Sequence, residues 1–190
     1  MDGSVSIFPI NGVPDIKTGD NLAVIIGDCL EQSFGNLIDG DVICVAHKIF
    51  SKAEGNIYDL NEIYPSAEAK EYAEKLNKDV RKVEIILRQS KKVIRSFKRK
   101  DQNEGVMICE HNLGFISANA AVDESNIGGN NIVITLPNDP DKSSNNLQTT
   151  LQERFKVRLG VVMTDTFGRP WRLGQVNVAI GLAGVPATKK

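Results

Sequence analysis

The sequence predicts an α+β fold, because its helical and strand-like segments are mixed rather than strictly alternating. The first half carries stretches with apolar residues at helical spacing and one short apolar run of strand length. The second half is mostly strand-like segments separated by Gly, Asn and Pro clusters, with one helical stretch among them.

Taken in order, Ser4 to Ile10 reads as a first strand running into a turn-rich loop through Gly12, Pro14, Gly19 and Asp20. A helix follows from Asn21 to about Phe34, with Leu22, Ile25, Ile26, Cys29 and Leu30 on one face, Asp20 as N-cap and Gly35 as stop. Val42 to Ala46 is an unbroken apolar run, predicted to be a buried strand that delivers a polar loop at Ser51-Lys52-Ala53-Glu54-Gly55. Two helices come next. One is opened by Pro65-Ser66 and runs through Ala67 to Leu76; the other is capped by Asp79 and places Val80, Val83, Ile86 and Leu87 on one face. Arg88 to Lys100, which holds Lys91, Lys92, Arg95, Lys98 and Arg99 among Val93, Ile94 and Phe97, reads as an amphipathic segment with a solvated face. Strands are expected at Val106–Glu110, Phe115–Val122, Ile132–Leu136 and Arg158–Met163, and a helix at Asp141–Phe155 with Pro140 in its first turn.

Composition narrows the function. A net charge of -1 creates no long-range field for nucleic acid or an anionic membrane, so small molecules are the expected partners. Cys29, Cys44 and Cys109 are odd in number, widely spaced and set among apolar residues, which fits buried thiols rather than a disulfide framework. The N-terminus shows no basic stretch leading into an apolar core, and no apolar run approaches the length of a membrane span. The chain reads as cytoplasmic, neither secreted nor inserted.

Chemistry concentrates at strand ends. Gly160 to Arg172 is an apolar strand ending in Asp165 and Thr166, then a Gly-Arg-Pro turn with Arg169 and Arg172. Asp165 and Thr166 are hard oxygen donors of the kind magnesium or manganese takes, and the two arginines form a fork for phosphate or carboxylate. Asp123, at the end of Phe115–Val122, is a second acid able to meet the same metal. Lys52 offers a point charge for a phosphate. Each has a plainer alternative: a solvated strand-end acid, a β-turn rich in Asp, Ser and Asn, an ordinary surface lysine. No phosphate-binding glycine loop of familiar type is present. His47 and His111 are too far apart to form a local metal motif, so a structural or solvated role is expected for each.

Together these blocks resemble the coenzyme F-420:L-glutamate ligase family. The resemblance rests on Gly40-Asp41-Val42 leading to Val45-Ala46-His47-Lys48-Ile49-Phe50-Ser51-Lys52-Ala53-Glu54-Gly55, on Asn119-Ala120-Ala121-Val122-Asp123-Glu124-Ser125-Asn126, and on Thr164 through Arg172 with Gly174 to Gly181 following. It implies one domain over residues 1–190, built as two intertwined subdomains and assembled as a homodimer. It further implies an amide-bond-forming ligase in the cytoplasm that uses GTP, Mg2+ or Mn2+, and K+, to activate the carboxylate of the F-420 precursor as an acyl phosphate, which L-glutamate attacks. Asp123, Asp165 and Thr166 match the family's metal positions. Lys52, Asn126 and the loop Val13-Pro14-Asp15-Ile16 match nucleotide-contacting ones, while Asp165, Arg169 and Arg172 are the expected catalytic set. Ala121 stands where the family pattern has glycine, and relatives continue past Lys190 with an Asp-Tyr-Arg-Gly-like segment. Two alternatives accompany this reading: a ligase that adds glutamate to another acceptor such as a folate, and a non-catalytic remnant that still binds nucleotide.

Overall fold

The first helix, α1 (Leu22–Phe34), starts where Asn21 places an extended backbone and an acceptor side chain before a run of good helix formers. In the computed structural model, which describes residues 4–124, 131–168 and 173–188, Asn21 Oδ1 accepts the N–H groups of Ala23 and Val24 at 3.1 and 3.2 Å. Asn21 is thus the cap, not Asp20, whose carboxylate instead accepts the N–H of Lys17 and closes the preceding turn. Gly35 ends α1 at φ +72°, a value that favours glycine. The segment expected as a first strand, Ser4 to Ile10, pairs with no strand among the described residues; Phe8 packs edge-on against Phe34 at 5.9 Å.

Strand β1 (Val42–Ala46) pairs in parallel with β7 (Gly160–Gly168), which pairs antiparallel with β8 (Gln175–Ala183). The sheet is therefore mixed. β1 lies at its edge and alternates, with Ile43 and Val45 buried and Val42, Cys44 and Ala46 exposed. A fully buried strand was the expectation from its apolar run. It is half-buried because successive side chains face opposite sides of a sheet, and helices α1 and α5 (Pro140–Phe155) share a core with the inner set only. Cys44 is accordingly exposed, whereas Cys29 and Cys109 are buried free thiols. The stretch after β1, expected to be a loop, is helix α2 (His47–Ala53), whose His47, Phe50 and Ser51 are buried.

β2 (Ile57–Asp59) follows, then α3 (Ala67–Leu76), capped by Ser66, and α4 (Val80–Arg88), capped by Asp79, both as expected. The basic segment forms β3 (Ser90–Phe97), paired antiparallel with β4 (Val106–His111); two register irregularities replace simple alternation and leave its lysines outward. β5 (Ile116–Ala118) is shorter than the stretch Phe115–Val122 suggested, and β6 (Ile132–Ile134) pairs with β2.

Two hydrophobic cores result. One joins α1, α2, α5 and the β1–β7–β8 sheet through Ile26, Phe50, Leu151 and Met163. The other joins α3, α4 and the β3–β4–β5 sheet through Leu76, Ile86 and Met107. The chain builds the first, leaves for the second, and returns, which gives the interleaved order that the resemblance implied. None of the helices among the described residues is long and apolar enough to cross a membrane.

β5 stops early because the next three residues, Asn119, Ala120 and Ala121, all take the left-handed conformation, at φ +51°, +49° and +55°. Asn119 tolerates it and its side chain accepts the N–H of Met107. Ala121 carries a Cβ that this conformation disfavours, two residues before Asp123. Replacing Ala121 by Gly is expected to raise the unfolding free energy by about 1 kcal/mol, seen as a higher urea midpoint at unchanged slope. A lower midpoint would mean that the backbone entropy of glycine outweighs the relieved strain.

Candidate active site

The parallel register of β1 and β7 sets Ala46 beside Thr164, so the next residue of each strand, His47 and Asp165, also lie side by side. His47 opens α2 there and points its Nε2 at Asp165 Oδ1, 3.4 Å away. Its Nδ1 lies 3.2 Å from Ser51 Oγ, one helical turn on, and both residues are buried. Ser51, His47 and Asp165 thus form a polar chain inside the protein, which fixes the face that the carboxylate turns outward.

The same helix gathers two more acids. Lys48 Nζ is 2.6 Å from Asp123 Oδ2, and Lys52 Nζ is 2.7 Å from Asp15 Oδ1. Spacing explains this: Lys48 and Lys52 are four apart and share one face of α2, while His47 and Ser51 share the adjacent one. Asp15 is exposed, yet the Lys52 ammonium beside it holds its carboxyl below the usual range. Val13 and Ile16 on either side of Asp15 pack on the first core and present Pro14 and Asp15 outward.

Asp123 is placed by its neighbours. Its backbone exchanges hydrogen bonds with Ile134, and Glu124 beside it meets Lys82 Nζ at 2.7 Å. Arg81, the neighbour of Lys82 on α4, donates to Asn131 at 3.1 Å. Consecutive residues of α4 therefore pin both described ends of the stretch from Glu124 to Asn131. Asn126, Arg169 and Arg172 lie outside the described residues.

Thr166 donates its hydroxyl to Asn177 Oδ1 at 2.8 Å across β7 and β8, and its N–H to Asp165 Oδ1 at 2.7 Å. Donation uses the hydroxyl proton and leaves the oxygen lone pairs for a cation. Among the described residues no group of three or more His, Cys, Asp or Glu side chains has metal-binding geometry. Two carboxylates, each facing a basic side chain, and a hydroxyl are instead what converges.

Neither histidine is solvated, contrary to one alternative the sequence left open. His111 is 2 % exposed, and burial pushes its pKa down to about 4, against the field of Asp165, which raises it, with Lys91 lowering it further. Its ring stacks on Phe115 at 4.9 Å, and Phe115 meets Phe167 at 5.1 Å, two residues beyond Asp165. His47 thus touches Asp165 directly, and His111 feels its field. Sequence spacing held no trace of this, because a strand register brings in one and a hairpin the other.

A model of the F-420-0:gamma-glutamyl ligase family matches residues 12–190. The chain belongs to that family. Among its relatives, the coenzyme F-420:L-glutamate ligase of Methanothermobacter thermautotrophicus is 41 % identical over 181 residues, covering 95 % of this chain and 69 % of the relative. That of Methanopyrus kandleri is 43 % identical over 187 residues, covering 97 % and 69 %, and that of Archaeoglobus fulgidus 37 % over 185 residues, with the same shares. The acids, lysines and hydroxyl gathered around α2 and β7 thus belong to an F-420-0:gamma-glutamyl ligase-type enzyme.

Proposed function

We propose that the chain joins L-glutamate to the carboxylate of the F-420 precursor, with GTP as co-substrate, Mg2+ or Mn2+, and K+, in the cytoplasm. The observation that carries this reading is the convergence on α2 of Asp165, Asp123 and Lys52, two metal-type acids and a phosphate-type cation drawn from distant parts of the chain. The donor set fits a hard divalent ion: magnesium sites use one or two carboxylates with substrate phosphates completing the shell. Asp123, Asp165 and Thr166 would hold it, and His47 and Lys48 are the side chains those carboxylates face without it.

When bound, the metal offsets charge on the phosphoryl group passed from GTP to the precursor carboxylate. The chain's own residues do the rest. Lys52 leaves Asp15 to meet a phosphate oxygen, and the Val13-Pro14-Asp15-Ile16 loop flanks the nucleotide. The Ser51–His47 pair keeps Asp165 from rotating. The acyl phosphate then loses phosphate as the glutamate amine forms the amide bond. Asn126 on the nucleotide, with Arg169 and Arg172 on phosphate or carboxylate, complete the reading. A homodimer belongs to it as well, and the outward face of β1, with Val42 half exposed, is an apolar surface suited to a second copy.

The test is incubation of the protein with GTP, Mn2+, L-glutamate and the F-420 precursor, following γ-glutamyl product by mass. Product that requires all four components supports the proposal; product formed equally with a folate in place of the precursor would redirect the acceptor. Lys52→Ala is expected to weaken GTP binding by about 10- to 100-fold, the worth of one charge-assisted hydrogen bond, with glutamate affinity unchanged. Equal loss for both ligands in calorimetric titrations would remove Lys52 from the nucleotide site.

A further inference from the structure

Two lysines of the second core are almost fully buried, Lys78 just before α4 at 8 % exposure and Lys82 within it at 7 %. Each turns its ammonium toward acids that stay near the surface. Lys78 Nζ lies 2.7 Å from Glu104 Oε2, and Lys82 Nζ lies 3.4 Å from that same oxygen and 2.7 Å from Glu124 Oε2. Charge therefore alternates along a row: Lys78, Glu104, Lys82, Glu124. An ammonium withdrawn from water needs opposite charge beside it, and among the described residues Glu104 meets that need for both lysines. Lys82 has a further and closer partner, and that partner directly follows Asp123.

The chain is extended at Val122, and Asp123 exchanges both of its backbone hydrogen bonds with Ile134. Successive side chains of an extended segment leave on opposite sides. Glu124 accordingly goes to Lys82 of α4, in the second core, while Asp123 goes to Lys48 of α2, in the first. Two adjacent side chains thus tie the two cores together across one stretch of backbone. The Asp123 side chain stays reachable, 37 % exposed, and it meets Lys48 next to the point where Asp165 meets His47. Before Asp123 the chain is held by Val122, buried in the second core. After Asp123, among the described residues, the Glu124–Lys82 pair is the side-chain contact that holds it.

We propose that Lys82 is a positioning residue for Asp123: through Glu124 it fixes the backbone that presents this carboxylate to a divalent ion, and it touches neither ion nor substrate. This rests on the metal assignment within the ligase reading. An acid that shares an ion with Asp165, which is carried by the other core, must have its backbone held on both sides. Groups standing behind a metal ligand change metal affinity by about 10- to 100-fold. An ammonium already balanced by Glu104 and Glu124 can do this without competing with the ion for Asp123.

Titration of the protein with Mn2+, read by the electron paramagnetic resonance signal of the free ion with and without GTP, measures affinity apart from turnover. Lys82→Met and Glu124→Ala are each expected to weaken Mn2+ binding by about 10-fold. The double variant should lose no more than either alone, because both break the same contact. Lys82→Arg keeps the ion pair and is expected to stay within about 3-fold of the unmodified protein. Lys78→Met removes an equally buried ammonium from the same row without reaching Glu124, and is expected to lower the thermal midpoint while leaving Mn2+ affinity unchanged. Should Lys82→Met fail to fold, Glu124→Ala decides, since Glu124 is half exposed and Glu104 remains beside Lys82. Lys82 and Glu124 variants that bind Mn2+ as tightly as the unmodified protein, or a loss in Lys78→Met as large as that in Lys82→Met, overturn the inference. Glutamyl product measured on the same preparations separates the two readings: product with Mn2+ affinity unmoved by the variants removes Lys82 and keeps the ligase, and weakened Mn2+ binding in variants of a protein that makes no product does the reverse.

Discussion

Asp165→Asn is expected to lower glutamyl product formation by about 10^3-fold while leaving the protein folded. The size follows from what one anionic ligand to a divalent ion contributes to charge stabilisation, several kcal/mol, at 1.36 kcal/mol per factor of ten. The amide is the right replacement because it matches the carboxylate in shape and still accepts the N–H of Thr166. It removes charge alone. His47 keeps an acceptor too, so the buried Ser51–His47 pair stays satisfied and the thermal midpoint should move by only a few degrees. Rates measured by product mass over a range of Mn2+ concentrations check the cause. If excess metal restores most of the rate, Asp165 acts by holding the ion; a full-rate Asn variant would remove Asp165 from the chemistry altogether.

The unfolding free energy is expected to fall by about 3 kcal/mol as the pH drops from 6.5 to 4, and His111→Gln is expected to remove most of that slope. His111 has a pKa of about 4 in the folded chain, lowered chiefly by burial, against 6.5 for a free imidazole. Between those values the unfolded chain binds a proton that the folded chain refuses, so protons favour unfolding and stability rises with pH across that window. Above pH 6.5 both states are neutral and the effect is absent. The carboxylates contribute in a different range. Glu84, lowered by hydrogen bonds from Ser66 and then by Arg88, and Glu104, lowered against its burial by the Lys78 and Lys82 ammonium groups, have pKa values below 4.5, so their share is present above pH 4.5 and lost as the pH falls beneath it. Urea unfolding at pH 7, 6, 5 and 4.5 samples the histidine window almost alone. A slope that persists in the Gln variant would assign it to other groups.

Much of the fold is legible in the residues because it is encoded locally. α1, α3, α4 and α5 each carry an apolar face at helical spacing and a capping side chain or first-turn proline, features that act within a few residues. The order of the blocks around His47, Asp123 and Asp165 is legible too, as an ordered set of acids, hydroxyl and basic groups at the ends of apolar runs. α2 was not. Its polar Lys48, Ser51 and Lys52 look like a loop after a strand, and it is helical because His47, Phe50 and Ser51 bury one side against the rest of the protein. The early end of β5 is not encoded locally for a related reason: three left-handed residues in a row contradict the preference of alanine, and the surrounding core holds them there.

By itself the sequence determined the α+β class, four of the five α-helices with the caps Ser66 and Asp79 and the stop at Gly35, the family, and which acids, lysine and hydroxyl were candidates. Only the tertiary structure decided that Asp165 meets buried His47, that Asp123 and Asp15 meet Lys48 and Lys52 on one helix, and that β1 turns half its apolar run outward. These depend on the register of β1 with β7 and on how the β4–β5 hairpin packs beside that strand. Such pairings join residues distant in the chain, and no periodicity within a segment specifies its partner across a sheet.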